Sequence, residues 1–117
     1  MLLSLTPMLQ TESIPETKQW YAEALGFTCV SRPDDNWCHL VKDKVELMFM
    51  TNDHLGKPQA TATQYIVVDD VMVLYDDIKH RVTVEWGPER MSYGMLEFAI
   101  RDNNGYLLSF GQDISRP

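Results

Sequence analysis

The stretch MLEFAIRDNNGYLLSFGQ, Met95 to Gln112, decides how the rest of the chain is read. Two segments of alternating character flank a turn at Asp102-Asn103-Asn104-Gly105. Side chains on a strand alternate between faces, so the stretch sorts into two sets. Leu96, Phe98, Ile100, Leu108 and Phe110 make a core face. Glu97, Ala99, Arg101, Leu107, Ser109 and Gly111 make a mixed face, with a buriable carboxylate and two very small side chains. A hairpin of this kind is half-buried, one face on a core and the other free to line a site.

Upstream of the hairpin the pattern is equally regular. TQYIVV reads as a strand, and Asp69 or Asp70 caps a helix through VMVLYDDIKH with Val71, Leu74, Tyr75 and Ile78 on one side. RVTVEW is a strand and GPERMSYG a loop. The first half repeats this order. LLSLTPML is a short strand, with Pro7 tolerable only near an edge or end. SIPETKQWYAEALGF is a helix with Ser13 as N-cap, Pro15 and Glu16 in its first turn and Gly26 at its end. FTCVS is a strand, Arg32 to Asn36 a turn, and NWCHLVKDKVELMFM a hairpin turning at Asp43-Lys44. TNDHLGKPQAT is a polar loop between the halves. Each half therefore reads strand, helix, then three strands: a single α+β domain over 1–117, with a first module over about 1–52, a linker over 53–61 and a second module over about 62–117.

Composition excludes several functions. The 117 residues are 44% hydrophobic and 23% charged, ordinary for a globular chain. Apolar runs are too short to span a membrane, and no signal-type h-region follows Met1, which favours the cytoplasm. A net charge of −7 without a basic cluster argues against nucleic acid and suits a cationic partner. Cys29 and Cys38 fit no metal-ligand spacing and are expected as small buried thiols, nearly opposite each other across a turn.

Three stretches, IPETKQWYAEALGF, VVDDVMVLYDDIK and YGMLEFAIRDNNGYLLSFGQ, resemble the vicinal-oxygen-chelate superfamily of glyoxalases, extradiol dioxygenases and bleomycin-resistance proteins. The last is similar to the bleomycin-resistance ending, with Asn103 where a proline is usual. The resemblance implies two βαβββ modules forming curved mixed sheets around a concave cup, commonly in a homodimer. It also implies where a divalent metal would sit in the enzymes. Those positions fall near Thr6, at Met48, near Thr63 (or Thr61), and at Ser109. Hydroxyls and a thioether are poor ligands for such a metal, so no cofactor is expected.

The histidines do not restore a metal site. His80 suits a helix C-terminus and His54 a solvated loop. His39, with a two-residue turn at Asp43-Lys44, shares a face with Trp37, Val41, Glu46, Met48 and Met50. Those aromatic and sulfur side chains either line a ligand site or pack against the other module or a second subunit. Tyr93 and Trp86 bracket the GPERMSYG loop, where aromatics form a pocket rim, though Trp86 equally suits packing at a sheet edge. Glu97 either pairs with Arg101 on its own face or, left free, meets a cationic group stacked on Trp37. The expected site is therefore Trp37, His39, Glu46, Met48, Met50, Tyr93, Glu97 and Ser109. It suits non-catalytic binding of a small organic molecule, cationic or aromatic, in the manner of antibiotic sequestration. A metal-dependent lyase or thiol transferase using His39, Glu46 and Glu97 is the alternative. A regulatory protein with a filled cup is the third.

Overall fold

A computed structural model describes residues 1–52 and 54–116. The chain divides into two compact units, Met1–Gln59 and Ala60–Pro117, each with one helix and one four-stranded mixed sheet that stays open and curved. The architecture is α+β, as the alternation requires.

In the first unit β1 (Met8–Gln10) leads to α1 (Ile14–Trp20), which continues into a π-helical turn, Tyr21–Leu25. Three strands follow: β2 (Thr28–Cys29), β3 (Trp37–Lys42) and β4 (Val45–Met50). The sheet order is β1-β4-β3-β2, with β1 parallel to β4 and the other pairs antiparallel. The helix begins where expected: the Ser13 side chain accepts from Glu16 N–H at 3.2 Å. It ends at Gly26, in the left-handed region at φ 79, with Phe27 N–H bonded back to Tyr21 C=O at 3.0 Å. Tyr21 is fully buried and meets Phe27 and Phe49 at ring distances of 5.4 and 5.2 Å, which fastens the helix to the sheet.

The first strand is shorter than LLSLTPML suggests. Pro7 has no N–H to give to the ladder, so pairing starts at Met8, and Leu2, Leu3 and Leu5 are exposed. Thr6 therefore precedes β1, and the residue level with Met48 is Met8. The cysteines are diagonal rather than opposite, because Cys29 pairs with Leu40, two residues beyond Cys38.

The second unit repeats the pattern with β5 (Thr63–Val67), α2 (Val71–Ile78), β6 (Thr83–Arg90), β7 (Met95–Arg101) and β8 (Leu107–Asp113), in the order β5-β8-β7-β6. Asp70 caps α2 by accepting from Val73 N–H at 3.1 Å. Val71 and Ile78 are fully buried, and Tyr75 meets Phe98 edge-on at 5.3 Å. The β7–β8 register puts Phe98 opposite Phe110 and Ile100 opposite Leu108, so the expected core face is the face under α2. Asp102, itself buried, ties the turn by accepting from Asn104 and Tyr106 N–H at 2.9 and 2.8 Å.

β6 differs from expectation by running on through Gly87 to Arg90 instead of ending at Trp86. Register shifts between Val84 and Trp86, and again between Trp86 and Glu89, absorb the extra residues. Gly87 makes this possible: at φ 85 its missing Cβ would lie 2.5 Å from the Glu97 carbonyl oxygen. The loop is thereby reduced to a turn closed by Gly94 N–H to Met91 C=O at 3.1 Å.

Candidate functional site

The mixed face of the second unit is organised around Glu97. β5 lies beside β8, and β8 beside β7, so Tyr65 is level with Ser109 while Glu97 is level with Gly111. Two strand spacings separate β5 from β7, roughly 10 Å. Tyr65 crosses that distance over Gly111. A Cβ at Gly111 would stand 2.1 Å from the Tyr65 hydroxyl oxygen and 2.7 Å from Cζ, so only glycine leaves the passage open. The Tyr65 hydroxyl donates to Glu97 Oε2 at 2.5 Å. From the β6–β7 turn, the Tyr93 hydroxyl donates to Glu97 Oε1 at 2.8 Å.

Glu97 is thus 2% exposed with a phenol on each oxygen, while Tyr65 and Tyr93 remain 49% and 65% exposed. A buried carboxylate needs such partners, and hydrogen bonds to a charged acceptor are the strong kind. The phenols change in response. Partial burial, then the hydrogen bond and charge of Glu97, push Tyr65 up to about 12. Tyr93 is raised chiefly by its hydrogen bond to Glu97. Both are neutral at physiological pH.

The expected pairing of Glu97 with Arg101 is not made. Arg101 reaches Glu85 at 3.4 Å and donates to the Gly105 carbonyl at 3.0 Å. Edge strand β6 supplies Glu85 beside Arg101, and the two tyrosines take Glu97. Each oxygen of Glu97 accepts one phenol hydrogen bond. Ser109 lies on this face, 4% exposed, between Ala99 on one side and Tyr65 on the other. Trp86 is level with Ala99 on the edge strand. Tyr65 is the residue that sequence reasoning missed. Its signal was the pair Tyr65 and Gly111, but that pair becomes visible only once β5 is set parallel to β8.

The first unit presents a second face of different character. The β3–β4 register puts Trp37 opposite Met50, His39 opposite Met48 and Val41 opposite Glu46, all as the two-residue turn implies. His39 Nε2 lies 2.8 Å from Glu46 Oε1, with the two side chains 21% and 53% exposed. Trp37 leans toward His39 at a ring distance of 6.3 Å. Met50 is buried and Met48 half-buried, with Gln10 beside them donating to the carbonyls of Asn52 and Gly56.

Neither face fits a divalent metal. The residues level with one another on the first and last strands are Met8 with Met48 and Tyr65 with Ser109: two thioethers, a phenol and a hydroxyl. Thr6 and Thr63, the alternatives from sequence, offer only hydroxyls. His39 and Glu46 are paired with each other, and each oxygen of Glu97 accepts from a phenol. Among the described residues no group of three His, Cys, Asp or Glu side chains could hold a metal ion. No helix among them is long and apolar enough to cross a membrane.

Known proteins share this fold. The family model described as Glyoxalase/Bleomycin resistance protein/Dioxygenase superfamily matches residues 5–110. The bleomycin resistance determinant encoded on transposon Tn5 is similar at 26% identity and TM-score 0.77, over 96% of this chain and 98% of that one. A bleomycin-binding protein complexed with bleomycin aligns at 26% identity and TM-score 0.74, over 95% and 98%. The copper(II)-bleomycin complex of the bleomycin-binding protein from bleomycin-producing Streptomyces verticillus aligns at 19% identity and TM-score 0.76, over 94% and 95%. No curated protein matches.

Proposed function

The chain belongs to the Glyoxalase/Bleomycin resistance protein/Dioxygenase superfamily, and on that premise we propose that it binds a small organic molecule without transforming it. The observation that carries this is Glu97, buried, with both oxygens held by phenols whose rings stay half-exposed. A carboxylate held in this way serves poorly as a metal ligand or general base. It serves well as the fixed anchor of an aromatic surface. Trp37, His39, Glu46, Met48 and Met50 offer a second surface on the first unit, and Tyr93, Glu97 and Ser109 lie with Tyr65 on the other. The likeness to two bleomycin-binding or resistance proteins at 26% identity supports a bleomycin-like glycopeptide as the first compound to test. Sequestration by a cytoplasmic homodimer completes the proposal. Such a protein acts stoichiometrically, so affinity replaces turnover.

The experiment is a titration of tryptophan fluorescence with bleomycin-like glycopeptides and planar organic cations, in the parent and in Trp37→Phe. Saturable binding near one ligand per chain is expected, with a smaller optical change in the variant. No response to any compound, with the variant behaving like the parent, overturns the proposal. Metal analysis separates the alternative, since a lyase or transferase requires about one divalent ion per chain.

A further inference from the structure

The hydrogen-bond inventory of the Tyr65–Glu97–Tyr93 cluster restricts what can be bound there. A phenol has one donor and two acceptor lone pairs, and an ionised carboxylate has acceptors only. Both phenol protons are committed to Glu97. Toward solvent the cluster therefore offers acceptor oxygens and aromatic ring faces, and no side-chain donor of its own. The cation on the same face, Arg101, is held by Glu85 and the Gly105 carbonyl. The Ser109 hydroxyl is buried.

A second observation points the same way. The β6–β7 register sets Glu89 directly opposite Glu97, and the charge of Glu89 also raises the Tyr93 pKa. Like charges directly across a strand pair destabilise a sheet. Phenols relieve Glu97, but Glu89 is exposed at the edge of the sheet. The arrangement is a negative, acceptor-only rank with π faces beside it.

We propose that this rank selects a planar, hydrogen-bond-donating cation, of the amidinium or guanidinium class, seated on the Tyr65 and Tyr93 rings with its N–H groups toward the phenol oxygens and Glu89. The inference rests on the binding function proposed above and names its ligand class. Cation–π attraction and the Glu89 charge favour such a group, while a carboxylate or phosphate meets only acceptors. Glu89 is then a specificity determinant that costs stability in the unliganded protein.

The test is a titration followed by backbone amide NMR at Glu97, Gly111 and Tyr93 with three probes of one size: benzamidinium, indole and benzoate. Benzamidinium is expected to bind at least about tenfold more tightly than benzoate. Glu89→Gln should reduce that preference below about threefold while raising the melting temperature or leaving it unchanged. Asp76→Asn, which removes one negative charge from the exposed side of α2, controls for net charge and should keep the preference. Benzoate binding as well as benzamidinium, or a preference that survives Glu89→Gln, overturns the inference. Indole shifting these amides while the charged probes bind equally overturns it and leaves the binding function standing. If none of the three shifts them, the inference falls, while the binding function is decided by the glycopeptide titration described above.

Discussion

Gly111→Ala tests the packing that creates the site. Gly111 has no unusual φ, so the added methyl meets only a steric problem, and its nearest neighbour would be the Tyr65 hydroxyl oxygen at 2.1 Å. Tyr65 belongs to an edge strand and is 49% exposed, so its ring can swing away instead of crushing the sheet. The cost is then set by what swinging loses, the hydrogen bond to a carboxylate that is 2% exposed. A hydrogen bond to a charged group contributes about 1.5–3 kcal/mol. Replacing glycine by alanine within a strand returns roughly 0.5–1 kcal/mol. The expected net destabilisation is therefore about 1–2 kcal/mol, read by urea unfolding. In a Tyr65→Ala background what remains near the new methyl is the flexible end of Met95 at 3.1 Å, and Gly111→Ala should be neutral or stabilising by up to about 1 kcal/mol. An equal cost in both backgrounds, or no cost in the parent, refutes the passage of Tyr65 over Gly111.

Four further outcomes are expected. Tyr65 ionises normally in the unfolded chain but only near 12 when folded, so its stabilisation is complete below about pH 10 and is lost as pH rises through 12. Tyrosinate absorbance of the parent minus that of Tyr65→Phe should show one late-titrating group, and identical curves count against it. Gly87→Ala adds a Cβ 2.5 Å from a backbone oxygen that cannot swing away, besides the strain of φ 85, and should cost more than Gly111→Ala, about 3 kcal/mol or more by the same unfolding assay. Glu46→Gln breaks a half-exposed pair with His39 and should cost less than about 1 kcal/mol, so a larger loss would show a buried role for it. The thiols should separate. Burial opposes ionisation of Cys29, yet hydrogen bonds with Ser31 and the Lys18 charge outweigh it and lower its pKa, while burial pushes Cys38 up to about 11. A disulfide reagent at pH 8 should label one thiol quickly and the other only on unfolding, and Cys29→Ser should remove the fast phase.

What was legible in the sequence was local. Alternation in Met95–Gln112 gave both faces of the β7–β8 hairpin, because register follows from a short turn and a hydrophobic pattern. The two-residue turn at Asp43-Lys44 likewise put His39, Glu46 and Met48 on one face. What escaped depended on pairing between distant segments. Tyr65 enters the site only through the parallel β5–β8 ladder, which no turn chemistry announces. Arg101 is nearer to Glu97 in sequence than Glu85 is, but sheet geometry gave it Glu85. The continuation of β6 past Trp86 required bulges and the absent Cβ of Gly87, and Gly-Pro in a sequence reads first as a loop. Thr6 was displaced from the first strand by one proline.

The measurement closest to the central claim is an equilibrium titration with a bleomycin-like glycopeptide, followed by mass analysis of the ligand recovered from the complex. Saturation near one ligand per chain, weakened in Tyr65→Ala, with the ligand recovered at unchanged mass, is the expected result. Saturable binding followed by a ligand of altered mass, or the absence of saturation with the glycopeptide and with planar cations alike, contradicts binding without turnover.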